Sequence, residues 1–86
     1  MPQHHHQIND DAMRAIGQRL EFARASAGLS RQDIATAFGV SAAAVSLWAL
    51  GRALPGILRL VLLCKLLKVD MNWLATGKGK GPIVRV

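Results

Sequence analysis

The stretch from Ser30 to Gly51, SRQDIATAFGVSAAAVSLWALG, constrains this chain more than any other part of it. Ser30 with Asp33 approximates a capping box, with Asp in place of the usual Glu, and Ile34, Ala35 and Phe38 follow as one apolar face. Gly39 ends that helix after about two turns. Val40 follows, and Ser41 can cap another short helix over Ala42 to Leu50, which Gly51 ends. Two short helices joined by a turn of about three residues, with glycine at its start, describe the helix-turn-helix unit. Ala35 fits a position where the two helices approach closely and only a methyl group has room.

The flanking segments read as helices too. A first helix is expected from about Asp10 to Ala27, capped by Asn9 or Asp10 and closed by Gly28 at the C′ position. Its buried stripe is Ile16, Leu20, Ala23 and Ala27. Pro55 and Gly56 open a fourth helix ending near Leu67, with Ile57, Leu60, Leu63, Cys64 and Leu67 as its core row. Lys65 and Lys68 in its last turn complement the helix dipole. Asp70 caps a short fifth helix, Met71 to Thr76, carrying Trp73 and Leu74 inward. Residues 1–9 are expected as a flexible arm, residues 10–77 as the folded domain, and residues 78–86 as a tail or linker. The Gly77 to Pro82 stretch reads as flexible, and Ile83 to Val86 as an added strand or the start of a linker. No β alternation is long enough to build a sheet, so the fold class is all-α.

With 86 residues the chain supports one domain and a modest core. Hydrophobic residues make up 51% and charged ones 19%, which suits folding rather than disorder. The net charge of +6 is unevenly spread. Up to Phe38 four Arg and four acids cancel; beyond it seven basic residues (Arg52, Arg59, Lys65, Lys68, Lys78, Lys80, Arg85) face Asp70 alone. A basic half suits a polyanion, either nucleic acid or an acidic membrane surface, and composition does not separate the two. The single Cys64 excludes an internal disulfide, and no Cys/His cluster has zinc-ligand spacing, so neither a metal site nor a cofactor is expected. The opening MPQHHHQINDD is polar, unlike a secretory signal, and its three histidines read as a polar tail rather than a metal tract. The apolar run Ile57 to Leu67 is broken by Arg59 and Lys65 and falls short of the roughly 20 residues a bilayer requires. A soluble, cytoplasmic protein is expected.

With these elements in place, the run from Ile16 to Gly79 resembles the DNA-binding domains of the phage repressor and Cro family. The resemblance rests on IGQRLEFARASAGLS, RQDIATAFGVS, AAAVSLW, the Gly51-Arg52 turn with Pro55, and LLKVDMNWLATGKG, in that order. It implies a five-helix, lambda-repressor-like domain whose third helix lies in the major groove and whose second helix meets a phosphate with its N-terminus. Arg31 then stands at a phosphate and base-edge position where glutamine is usual. Ala42, Ala43, Ser46 and Leu47 stand where the family reads bases, and Arg52 where a basic side chain meets the backbone; Gln32 and Ser41 complete the set. A repressor of phage or prophage type is implied, working as a homodimer on double-stranded DNA in a bacterial or phage-infected cell.

Three departures from the family pattern bear on function. The reading helix lacks the Arg, Asn and Gln side chains that supply about 1–3 kcal/mol of discrimination each, so weaker and more shape-dependent recognition is expected. Ala49 stands where the family carries Glu paired with an arginine at the place of Arg24. Arg24 must therefore find Glu21 or another acid, or turn to solvent, because an orphaned buried charge costs about 3–5 kcal/mol. Leu50 and Leu54 occupy places that are usually polar, and Leu58, Leu62 and Leu66 form a second apolar row on the fourth helix. Such a row either meets the N-terminal arm or the IVRV segment in an enlarged core, or forms an interface, with Leu50, Leu54, Leu58 and Leu62 its residues.

Nothing in the sequence points to an enzyme: there is no plausible triad, carboxylate pair or phosphate-binding loop. Trp48 and Trp73 fall on core spacings, and Cys64 reads as a small buried hydrophobe. Two functions remain open. One is the DNA-binding repressor; the other is an interaction module that keeps the fold and binds a protein partner through its leucine-rich surface. Salt dependence separates them, because phosphate contacts release counterions.

Overall fold

A computed structural model describes the backbone of residues 3–83 and the side chains of residues 9–83. Five helices follow one another: α1 (Gln3–Ser26), α2 (Arg31–Phe38), α3 (Ala42–Leu50), α4 (Ile57–Leu67) and α5 (Met71–Thr76). Among the described residues there is no strand. The all-α expectation holds, and the helix-turn-helix unit lies where the capping signals put it. Met1, Pro2 and residues 84–86, expected in the arm and the tail, lie outside the described residues, as do the histidine side chains of the arm.

The unit is closed by local chemistry. Ser30 Oγ accepts from the Asp33 N–H at 2.9 Å while the Ser30 N–H donates to Asp33 Oδ2 at 2.8 Å, the reciprocal pair of a capping box. Gly39 ends α2 at φ +65°, where an L side chain would crowd the carbonyl, and its N–H points to the Ala35 and Thr36 carbonyls. Ser41 Oγ then accepts from the Ala44 N–H at 3.1 Å and starts α3. The chain turns through 116° between α2 and α3. Ala35 is fully buried, as a close approach of the two helices requires.

The core takes residues from every helix: Leu20 and Ala23 of α1, Ile34 and Ala35 of α2, Val45 and Trp48 of α3, Leu63, Cys64 and Leu67 of α4, and Leu74 of α5. Gly17 and Gly51 bring α1 onto the end of α3. A Cβ at Gly17 would lie 2.6 Å from the Trp48 carbonyl oxygen, and one at Gly51 2.6 Å from Arg14 Cα. Arg19 Nη1 donates to the Leu74 carbonyl at 2.9 Å, tying α1 to α5.

Several expectations are corrected. α1 starts at Gln3 rather than near Asp10, since no glycine or proline interrupts the chain between them. Its end is as expected: Gly28 has φ +75°, with the Gly28 N–H on Ala25 O and the Leu29 N–H on Arg24 O. Ala27, expected on the buried stripe, lies past the last helical residue and is exposed. Ile57, expected in the core row of α4, is 71% exposed because the first turn of α4 projects beyond the packed helices. Trp73 is half-buried beside a fully packed Leu74. Asp70 makes no side-chain cap on α5. Its carboxylate instead accepts from the Lys80 N–H at 3.0 Å while its own N–H donates to Lys80 O at 2.9 Å. The Gly77 to Pro82 stretch, expected to be flexible, is thus tied back, with Gly81 against the Trp73 indole.

Candidate nucleic-acid interface

Arg31 opens α2 directly after its cap, at the helix end where unpaired N–H groups and the dipole favour an anion. Its guanidinium reaches two other helices. Nε lies 3.4 Å from Glu21 Oε1 on α1, and Nη1 lies 3.5 Å from Ser46 Oγ on α3. The structure therefore brings Arg31 and Ser46 together. Gln32 is exposed, but its amide donates to Thr36 Oγ1 one turn along the same helix, at 3.2 Å. The i, i+4 spacing of that pair was a readable signal.

On α3, Ala42, Ala43 and Leu47 are exposed, whereas Ser46 is half-buried. The Ser41 oxygen is engaged in capping, which leaves its hydroxyl hydrogen to donate outward. Arg52 is exposed just past Gly51, and among the described residues it forms no ion pair. Its backbone N–H closes the turn on Leu47 O at 3.0 Å.

Arg24 does find the substitute partner. Its Nε donates to Glu21 Oε1 at 3.2 Å, Nη2 pairs with Oε2, and Nη1 donates to the Leu29 carbonyl. Glu21 is held well into its charged form, chiefly by the Arg24 hydrogen bond, with burial opposing and Arg31 assisting. Beside this cluster lies an apolar cavity of about 10 Å³, bordered by Ala49, Ile34, Val45 and Trp48. The role of Glu21 as a partner of Arg31 had no signal in the sequence, since ten residues and a turn separate the two.

The leucines singled out from the sequence are all at the surface. Leu50 is 59% exposed and Leu58 68%, with Leu54, Leu62 and Leu66 also exposed. Pro82 and Ile83 border a groove with Leu66, and Ile83 is itself exposed. Among the described residues no His, Cys, Asp or Glu cluster could hold a metal ion, and no single helix is long and apolar enough to cross a membrane.

A two-helix reading unit on a five-helix scaffold, with a cation at the start of α2, defines a helix-turn-helix DNA-binding protein. The helix-turn-helix family model of the phage repressor and Cro type matches residues 20–74, and the chain belongs to that family. The family is one of DNA-binding regulatory domains. No curated protein and no solved structure gives a significant match.

Proposed function

We propose that the chain is a transcription repressor of the phage or prophage type, in which paired subunits lay α3 in the major groove of double-stranded DNA. The observation that carries this reading is the exposed edge on which Arg31 meets Ser46 beside the unoccupied Ala42, Ala43 and Leu47. Arg31 and the start of α2 take a phosphate, and Arg52 takes another beyond α3. Ser41 and Ser46 offer hydroxyls to phosphate or base edges, while Ala42, Ala43 and Leu47 touch thymine methyl groups. Gln32 lies at the rim. Leu50, Leu54, Leu58 and Leu62 form the homodimer contact, setting two half-sites about 34–36 Å apart. The reading needs no cofactor or metal and places the protein in the cytoplasm.

A second reading is favoured by one observation: Leu47 and Leu50 on α3, Leu54 in the turn after it, and Leu58 and Leu62 on α4 are all exposed, on a chain whose reading helix has few polar groups. Here the fold binds a protein partner through that surface. Binding of random duplex DNA at two salt concentrations, with sedimentation alongside, separates the two. The repressor reading expects affinity that collapses as salt rises, a dimer, loss of binding in Arg31→Glu, and a shift to monomer in Leu58→Glu. No binding at low salt, or unchanged affinity in a folded Arg31→Glu protein, refutes the DNA reading. An unaltered sedimentation profile in Leu58→Glu refutes the interface.

A further inference from the structure

Glu21 belongs to neither the reading helix nor the start of α2, yet its carboxylate is placed against the guanidinium proposed to meet DNA. Oε1 is shared between Arg24 Nε at 3.2 Å and Arg31 Nε at 3.4 Å, and Oε2 is taken by Arg24 Nη2. Arg24 has an independent anchor on the Leu29 carbonyl, so it stays in place whatever Glu21 does. Among the described residues Arg31 is tethered by Glu21 and by Ser46 alone, and its side chain is 44% exposed. We propose that Glu21 is a positioning residue that competes with the DNA backbone: it holds Arg31 against Ser46 in the free protein and so sets the affinity and salt dependence of duplex binding.

The physical argument is one of charge. A phosphate approaching the start of α2 meets a guanidinium whose charge is partly compensated by a carboxylate one contact away. Glu21 is not needed to cap a helix, since Ser30 and Asp33 perform that task at α2. It is also not the sole support of Arg24. Its charge therefore acts mainly on the two neighbouring cations, Arg24 more closely than Arg31, and of the two Arg31 is the one that opens α2, where a phosphate is proposed to dock. A phosphate that draws Arg31 off Glu21 gives up a unit-charge contact, which at about 6 Å between charge centres in water is worth about threefold in affinity.

The inference rests on the DNA-binding reading of Arg31, and the experiment is arranged to tell the two apart. Binding of a random-sequence duplex is titrated over a range of salt for the wild type, Glu21→Gln, Arg31→Ala and the double variant. Glu21→Gln is expected to bind about threefold tighter at low salt, with a salt slope steeper by up to about 0.9, the value of one further neutralised phosphate. That gain is expected to vanish in the Arg31→Ala background. An unchanged slope and affinity overturns the role of Glu21, and so does a gain that survives without Arg31. Should Glu21→Gln fail to fold by circular dichroism, Glu21→Asp keeps a carboxylate for Arg24 but draws it away from Arg31. The same direction of change is then expected, and its absence overturns the proposal. A wild type that does not bind overturns the DNA reading along with it.

Discussion

Replacing Gly17 with alanine sets two effects of opposite sign against each other. Gly17 lies inside α1, where alanine is favoured over glycine by about 1 kcal/mol on helix propensity alone. The new methyl would sit 2.6 Å from Trp48 O, 2.8 Å from Ala49 O and 2.9 Å from Gly51 N. All three are backbone atoms at the end of α3, so no rotamer change relieves them. Restoring ordinary contact requires α1 to move off α3 by roughly 0.5–1 Å. That movement would loosen the packing of Leu20 against Val45 and Trp48. Overpacking of this kind costs about 1–3 kcal/mol, and a clash with backbone belongs at or above the upper end. The net expectation is a destabilisation of about 2 kcal/mol, or a fall in Tm of roughly 8–16 °C for a domain of this size. Thermal unfolding followed by circular dichroism measures it, at one fixed protein concentration because self-association would also move Tm. A rise of a few degrees, the propensity effect alone, would refute the claim that α1 and α3 touch through Gly17.

Three further outcomes follow from local chemistry. Ser30→Ala removes the side-chain half of the α2 capping box, the hydroxyl that accepts from the Asp33 N–H, and keeps the backbone half; it is expected to cost about 1 kcal/mol in urea unfolding, and an unmoved midpoint would show that the cap is idle. Because Arg24, with a smaller contribution from Arg31, lowers the pKa of Glu21 in the folded state, the stability it contributes is complete above the unfolded-state value and is lost as pH falls through the folded one. Urea midpoints of the wild type should therefore fall more steeply between about pH 5 and 3 than those of Glu21→Gln, and parallel curves would exclude the pair as the cause. Burial, with Asp70 adding to it, pushes the Cys64 thiol up, and its Sγ lies 3.4 Å from Met71 Sδ. Alkylation at mildly alkaline pH should be much slower in the native protein than in urea, and equal rates would place the thiol at the surface.

The readable parts of the fold are those whose signals are local. Ser30 with Asp33, Gly39, Ser41 and Gly51 each act on backbone groups within a few residues, so α2 and α3 end where the sequence says. The start of α1 was not readable for the opposite reason. Asn9 and Asp10 can cap a helix but cannot stop one, and nothing from Gln3 onward forces a break. Ile57 shares the spacing of Leu60 and Cys64, yet a row is buried only where a neighbouring helix extends to meet it. The Gly- and Lys-rich stretch after Thr76 has the composition of a linker, but the exchange between Asp70 and Lys80 is a tertiary event.

The interface was legible in outline for a related reason. Exposure at Ala42, Ala43 and Leu47 follows from helix periodicity once Val45 and Trp48 are assigned to the core. The Arg24–Glu21 pair was legible at its i, i+3 spacing, but its extension into a network with Arg31 was not, because that depends on how α1 crosses the start of α2. That network carries more weight here than it would on a reading helix rich in polar groups. With methyl groups in place of bidentate donors, α3 loses about 1–3 kcal/mol of discrimination at each position an Asn, Gln or Arg would have served. What remains is phosphate attraction, apolar contact with thymine and the cost of shaping the duplex. Under the proposed function Arg31 is then the residue able to serve both affinity and base choice, and its distance from Ser46 fixes where along α3 it acts. An operator for such a protein should tolerate substitutions opposite Ala42 and Ala43 other than loss of a thymine methyl, and resist them opposite Arg31 and Ser46. A mutational scan of a selected duplex tests this, and uniform sensitivity across the half-site would place the discrimination elsewhere.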